Sequence, residues 1–178
     1  MIGRTIFIAG AYGTGKSILC SRLEEKLNIP AFSAGNLISD QNGEIYGSNK
    51  AVADKDNNQL LLARQVQKLN SNYESILLAG HFCIFNSANQ VELLPKSVFL
   101  ELNILRIILL EASSAQINKH LKQRDSKTYH KSSIDELILQ ERTQADIIST
   151  ELNCPFTIYQ MTFSDIDSEK ISDIVRGG

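Results

Sequence analysis

Residues 10 to 17 read Gly10-Ala11-Tyr12-Gly13-Thr14-Gly15-Lys16-Ser17, three glycines, a lysine and a hydroxyl residue in the spacing G-x-x-x-x-G-K-[ST]. Such a loop needs a strand before it and a helix after it. The sequence supplies both: the apolar run Thr5–Ala9 precedes the loop, and Leu19, Leu23 and Leu27 recur every fourth residue behind it. Glycines at 10, 13 and 15 let the backbone take conformations closed to other residues and approach phosphate oxygens closely. Successive N–H groups and the helix N-terminus then make an anion cradle. Lys16 reaches the outer phosphates and the Ser17 hydroxyl is the expected Mg²⁺ ligand. All eight residues are therefore candidate nucleotide contacts, with ATP and Mg²⁺ as the expected cofactors.

Further apolar runs at Ser75–Ala79, Arg106–Glu111 and Phe156–Met161 predict buried strands, and Ala31–Ser33 predicts a shorter one. Helical stripes lie between them: Leu62, Val66 and Leu69 on a helix over Asn57–Ser71, and Ile134, Leu137, Ile138, Ala145 and Ile148 on a later one. Ser113 or Ser114 is placed to cap a helix reaching about Arg124. Near-continuous apolar strands joined by helices predict an α/β fold, a parallel sheet covered on both faces within one domain over residues 1–178. Such a sheet binds its ligand at the C-terminal strand ends, beside a topological switch.

Eighteen basic against twenty acidic residues give a net charge of −2, which lacks the overall positive field of a general nucleic-acid binder. The balance is uneven: Lys119, Lys122, Arg124, Lys127 and Lys131 crowd thirteen positions in which Asp125 is the single acid. No apolar run is long enough to span a bilayer. Cys20, Cys83 and Cys154 are an odd number at wide spacing, unlike a disulfide framework or a zinc site, and read as small apolar residues. These features predict a cytoplasmic protein.

Beyond the loop, the chain resembles the adenylate kinase group of P-loop kinases, particularly the archaeal type and the compact adenylate kinase/ATPase branch. Phe32-Ser33-Ala34-Gly35-Asn36-Leu37 resembles the group's S-T-G-D-L segment, and Ile76-Leu77-Leu78-Ala79-Gly80-His81-Phe82 its third strand ending in D-G-H or D-x-H. Leu94-Pro95 and Glu101-Leu102-Asn103 resemble the stretch between third and fourth strands. Ile117–Arg124 with Ser133-Ile134-Asp135-Glu136 through Arg142 resembles the lid and the helix after it. The resemblance implies a five-stranded sheet in the order 2-3-1-4-5, a monophosphate-binding segment over about 33–72 and a lid over about 119–133. It places His120 at an adenine-facing lid position and Arg124 and Arg142 at phosphate-contacting positions. Forked arginine donors suit the charge that develops on a transferring phosphoryl group; a solvated helix face, with partners such as Asp125 and Glu141, is the other reading of both arginines.

Three departures accompany the matches. The group's metal-water aspartate after the third strand is Ala79, the aspartate of S-T-G-D-L is Asn36, and the arginine that grips the monophosphate is Ser39. Glu111, at the end of the fourth strand, is a replacement carboxylate for the metal or a solvated strand end. Ser33, Gly35, Asn36 and Arg64 are candidate acceptor contacts, with Arg64 equally readable as a surface arginine. His81 lies beside the expected γ-phosphate, to donate to it or to position an attacking water, with a satisfied histidine at a strand terminus as the other reading; it joins Lys16, Arg124 and Arg142 as a candidate catalytic residue. The leading expectation is phosphoryl transfer from ATP to a nucleoside monophosphate or similar small acceptor. The alternatives are an ATPase switch working with a protein or RNA partner, or a nucleotide-binding protein with weakened catalysis. Archaeal-type relatives associate, which makes an oligomer an option as well.

Overall fold

The computed structural model describes residues 3–42, 55–125 and 129–177. Parts of the expected acceptor segment (43–54) and lid (126–128, including Lys127) lie outside the described residues, as does the Asp125 side chain.

Strand β1 (Arg4–Ala9) runs into helix α1 (Lys16–Leu27), and β2 (Ala31–Ser33) into α2 (Ala34–Asn42). Helix α3 (Lys55–Asn72) precedes β3 (Ser75–Ala79). A hairpin of β4 (Cys83–Phe85) and β5 (Val91–Leu93) and a short helix α4 (Lys96–Leu100) follow. Then come β6 (Ile104–Glu111), α5 (Ser114–Asp125), α6 (Lys131–Leu152), β7 (Phe156–Gln160) and α7 (Asp165–Arg176). Five strands form a parallel sheet in the order β2-β3-β1-β6-β7; the two skipped numbers belong to the antiparallel hairpin, which the sequence reading lacked.

Alternation along β1 sends its side chains to two cores. Ile6 and Ile8 pack with Leu19 and Leu23 of α1 and Ile171 of α7. Phe7 and Ala9 pack on the opposite face with Leu62 and Val66 of α3 and with Ile134, Leu137 and Ile148 of α6. Burial on both faces is what a parallel sheet with crossover helices requires. Because β1 lies between β3 and β6, the chain leaves it in opposite directions, opening a crevice at its C-terminal end. Among the described residues no helix is long and apolar enough to cross a membrane.

Candidate functional site

The loop after β1 has the backbone its sequence predicts. Gly10, Gly13 and Gly15 hold φ of 149°, 79° and 85°, and a Cβ on Gly10 would lie 2.5 Å from the Leu110 carbonyl oxygen. Gly15 is the N-cap of α1 and no side chain caps that terminus, so its first amides suit an anion. Lys16 is buried and donates from Nζ to the carbonyls of Gly10 at 2.7 Å and Ala11 at 2.8 Å. The next residue, Ser17, is exposed and lines a cavity of about 830 Å³.

At the loop end of this cavity stand Lys16, Ser17, His120 and Arg124, with Phe163 beside Gly15. His120 Nδ1 lies 2.7 Å from the Gly13 carbonyl, so that nitrogen donates, and the ring meets Phe163 edge to face at 4.7 Å. Phe163 has a φ of 60°, uncommon for a bulky residue. It is held there by Asp167, whose carboxylate accepts from Phe163 N at 2.7 Å, from Thr162 N and Oγ1, and from the Tyr159 hydroxyl. Burial alone would raise the Asp167 carboxyl; the Thr162, Tyr159 and Phe163 donors outweigh it and hold the group below its ordinary value. Burial and the Asp167 bond push the Tyr159 hydroxyl up to about 12.

The far end of the cavity is apolar. Phe7, Leu62, Phe85, Leu94, Phe99 and Leu102 line it, with Ser33, Asn36, Asn58 and Gln59 as neutral polar groups. Gly80 borders it, and a Cβ there would sit 2.7 Å from the Phe7 ring. Between the two ends is His81, just past β3. Its ring packs on Tyr12 at 4.3 Å, and Tyr12 stacks on Phe85 at 5.8 Å, which stacks on Tyr129 at 5.5 Å. Arg124 lies over the Tyr12 ring, 5.9 Å from its centre. His81 Nδ1 is 3.6 Å from Glu141 Oε1 of α6, a carboxylate only 1% exposed. That same oxygen accepts from the backbone N–H of Phe82 and Cys83, both at 3.0 Å.

A family model described as AAA domain matches residues 9–138. The chain belongs to the AAA-domain family. Among solved structures, this AAA-domain chain is similar to shikimate kinase from Acinetobacter baumannii in complex with shikimate (TM-score 0.65, 12% identity, 98% of this chain and 94% of that one). It is similar also to shikimate kinase from Bacteroides thetaiotaomicron (0.62, 14%, 98% and 96%). A gluconokinase from Sinorhizobium meliloti matches at 0.54 and 12%, over 99% and 97%. No curated protein matches its sequence. At these identities the likeness is one of fold: a P-loop α/β fold with a five-stranded parallel sheet between helices.

Within the AAA-domain chain, Tyr12, Gly13, Gly15, Lys16 and Ser17 of the predicted loop line the cavity together with His81, His120, Arg124, Ser33, Gly35 and Asn36. Gly10, Ala11 and Thr14 of the loop do not line it, and Ala11 and Thr14 are buried beneath. Three other predicted residues lie elsewhere. Arg142 does not line it: its Nε donates to Glu111 Oε1 at 2.7 Å and its Nη2 to Oε2 at 2.5 Å. Glu111 is buried rather than a solvated strand end, and its carboxylate also accepts from Gln160, three donors in all. Its hydrogen bonds and charge raise the Arg142 guanidinium further above its ordinary value. Arg64 is exposed on α3 and absent from the lining. Ser39 is buried and donates back to the Gly35 carbonyl at 2.9 Å, a bond within its own helix. Among the described residues no three His, Cys, Asp or Glu gather as a metal site.

Sequence reading missed Glu141, Gln59, Phe85 and Phe163. Glu141 left a trace, because it falls four residues after Leu137 and four before Ala145, on the buried stripe of α6. Burial pushes the Cys20 thiol up to about 12, and burial followed by the Glu141 charge raises Cys83, so neither is poised as a nucleophile.

Proposed function

We propose that this AAA-domain protein transfers the γ-phosphoryl group of ATP to a small acceptor. The observation that carries this reading is that the phosphate-loop residues and a set of apolar residues line one and the same cavity. Such a layout brings a triphosphate and a second molecule together, which positions them for in-line displacement. Lys16 and the loop amides bind the β- and γ-phosphates, and Arg124 supplies charge from α5. Mg²⁺ would be held on the protein side by the exposed Ser17 hydroxyl at the cavity wall and would supply neutralisation of phosphate charge. Phe163 and His120 form the wall beside Gly15 on which a base can rest. Kinases named for shikimate and gluconate share the fold, which supports a hydroxyl acceptor.

The adenylate-type acceptor is less well supported. A monophosphate needs a cation at its subsite, and the lysine, arginine and histidine side chains among the described lining residues are Lys16, His81, His120 and Arg124, none of them on β2, α2 or α3.

The test is incubation of purified protein with ATP, Mg²⁺ and a panel of nucleosides, monophosphates and hydroxy acids. Lys16-dependent formation of ADP together with a phosphorylated small product supports the proposal. ATP hydrolysis stimulated by a protein or RNA, with no such product, would favour the switch instead.

A further inference from the structure

We propose that the acceptor is an uncharged alcohol carrying a planar heterocycle, of the nucleoside class, bound in the apolar chamber with its hydroxyl at His81, and that Glu141 positions His81 as the base. This rests on the kinase reading above and specifies its second substrate.

The chamber is selective by what it contains. Phe85, Ile38 and Leu94 are the partly exposed apolar side chains a flat ring would meet, backed by the buried Phe7, Phe99 and Leu62, and covering them removes apolar surface from water. Its described polar groups are neutral. Gln59 is the most informative, because its Nε2 is out of reach of solvent and has no hydrogen-bond partner among the described residues. A buried amide donor left without a partner is destabilising, and a ligand acceptor atom relieves that. A carboxamide offers a donor and an acceptor side by side, the complement of a nucleobase edge. A carboxylate or phosphate here would be buried without a cation among the described residues on α2, α3 or β4.

His81 is the described lining residue able to take a proton between this chamber and Lys16; the positions where the adenylate kinase resemblance expects aspartates hold Ala79 and Asn36. Its Nδ1 faces Glu141 Oε1, which makes Nε2 the nitrogen that serves the cavity. The 3.6 Å separation is an ion-pair distance, longer than a hydrogen bond; contacts of this kind tighten when substrate is bound. Glu141 is itself fixed by the Phe82 and Cys83 amides, and its Oε2 is buried with no hydrogen-bond partner among the described residues. A carboxylate held next to a histidine at a cavity wall orients the ring and stabilises its protonated form. The step then balances. The acceptor oxygen attacks the γ-phosphorus and its O–H proton passes to His81 Nε2. The bond between the γ-phosphorus and the β,γ-bridging oxygen breaks, ADP leaves, and the imidazolium later loses its proton to water.

The experiment measures γ-phosphoryl transfer from ATP to thymidine, cytidine, adenosine and guanosine, beside their 5′-monophosphates, shikimate and gluconate. His81→Ala should lower kcat for the best nucleoside roughly 100-fold with ATP affinity unchanged, and added imidazole should restore part of the rate. Glu141→Gln keeps an oxygen for the Phe82 and Cys83 amides but loses the charge. It should lower kcat about tenfold with the acceptor KM and the melting temperature little changed; a purely structural Glu141 would leave kcat alone. Transfer to monophosphates or hydroxy acids but to no nucleoside would overturn the acceptor assignment and leave the kinase reading standing. Absence of transfer to every class would overturn both. Nucleoside transfer that survives in His81→Ala, or a loss that imidazole cannot restore, would overturn the base.

Discussion

At the scale of single residues, Lys16 has two jobs that the sequence shows as one. Its motif position predicts a phosphate contact, and its buried Nζ also bonds the Gly10 and Ala11 carbonyls. Lys16→Ala should therefore abolish ATP turnover and also lower stability by about 2 kcal/mol, since two loop carbonyls lose their donor. Thermal melting with and without ATP checks both parts: the apo melting point should fall, and ATP should no longer raise it. Arg142 is the reverse case. The adenylate kinase resemblance assigns it to phosphate, whereas the structure assigns it to Glu111. Arg142→Ala should destabilise by about 1–2 kcal/mol, because Glu111 is buried but the arginine is half exposed and Gln160 remains as a donor. Its kcat at a permissive temperature should stay within about threefold of wild type, which corresponds to less than 1 kcal/mol in the barrier.

At the scale of elements, the turn between β7 and α7 hangs on Asp167. The carboxyl is held below its ordinary value, so its stabilising contribution is present above the unfolded-state value of about 3.9 and is lost as pH falls through the folded value. Asp167→Asn should be less stable than wild type near neutrality, with the gap closing below about pH 4; melting curves across that range measure it. The same scale shows what was legible in the sequence. The strand before the loop, the helix after it and the buried strands β3 and β6 could be read, because burial on both faces leaves an unbroken apolar run. The sequence of β7 reads as buried too, but as the edge strand it is only half-buried, with Ile158 exposed. The β4–β5 hairpin could not: each strand has three residues, and the turn Asn86-Ser87-Ala88-Asn89 reads as plain loop. That hairpin supplies Ile84 and Phe85 to the chamber, so the character of the acceptor end was hidden with it. Glu111 with Arg142, and His81 with Glu141, are pairs 31 and 60 residues apart (142 − 111 and 141 − 81), contacts that no local pattern encodes.

At the scale of the whole molecule, the sheet order places β1 between β3 and β6, and everything functional follows from that position. The loop leaves β1, His81 leaves β3, and the elements around them enclose one cavity from both sides. Net charge is near zero overall, yet the cavity wall carries Lys16 and Arg124 at its loop end and no Asp or Glu among the described lining residues. A triphosphate should therefore stabilise the fold by mass action: ATP with Mg²⁺ at a hundredfold its Kd should add about 2.7 kcal/mol. A melting shift of roughly 5–10 °C is expected for a chain of this size. Inorganic sulfate at the same concentration should give a smaller one.

The most direct measurement is mass-spectrometric detection of a phosphorylated small molecule after incubation of the protein with ATP, Mg²⁺ and a mixture of nucleosides. A nucleoside monophosphate formed by wild type and absent with Lys16→Ala is the predicted result. ADP and free phosphate with no phosphorylated acceptor, or no turnover of ATP at all, would contradict the account.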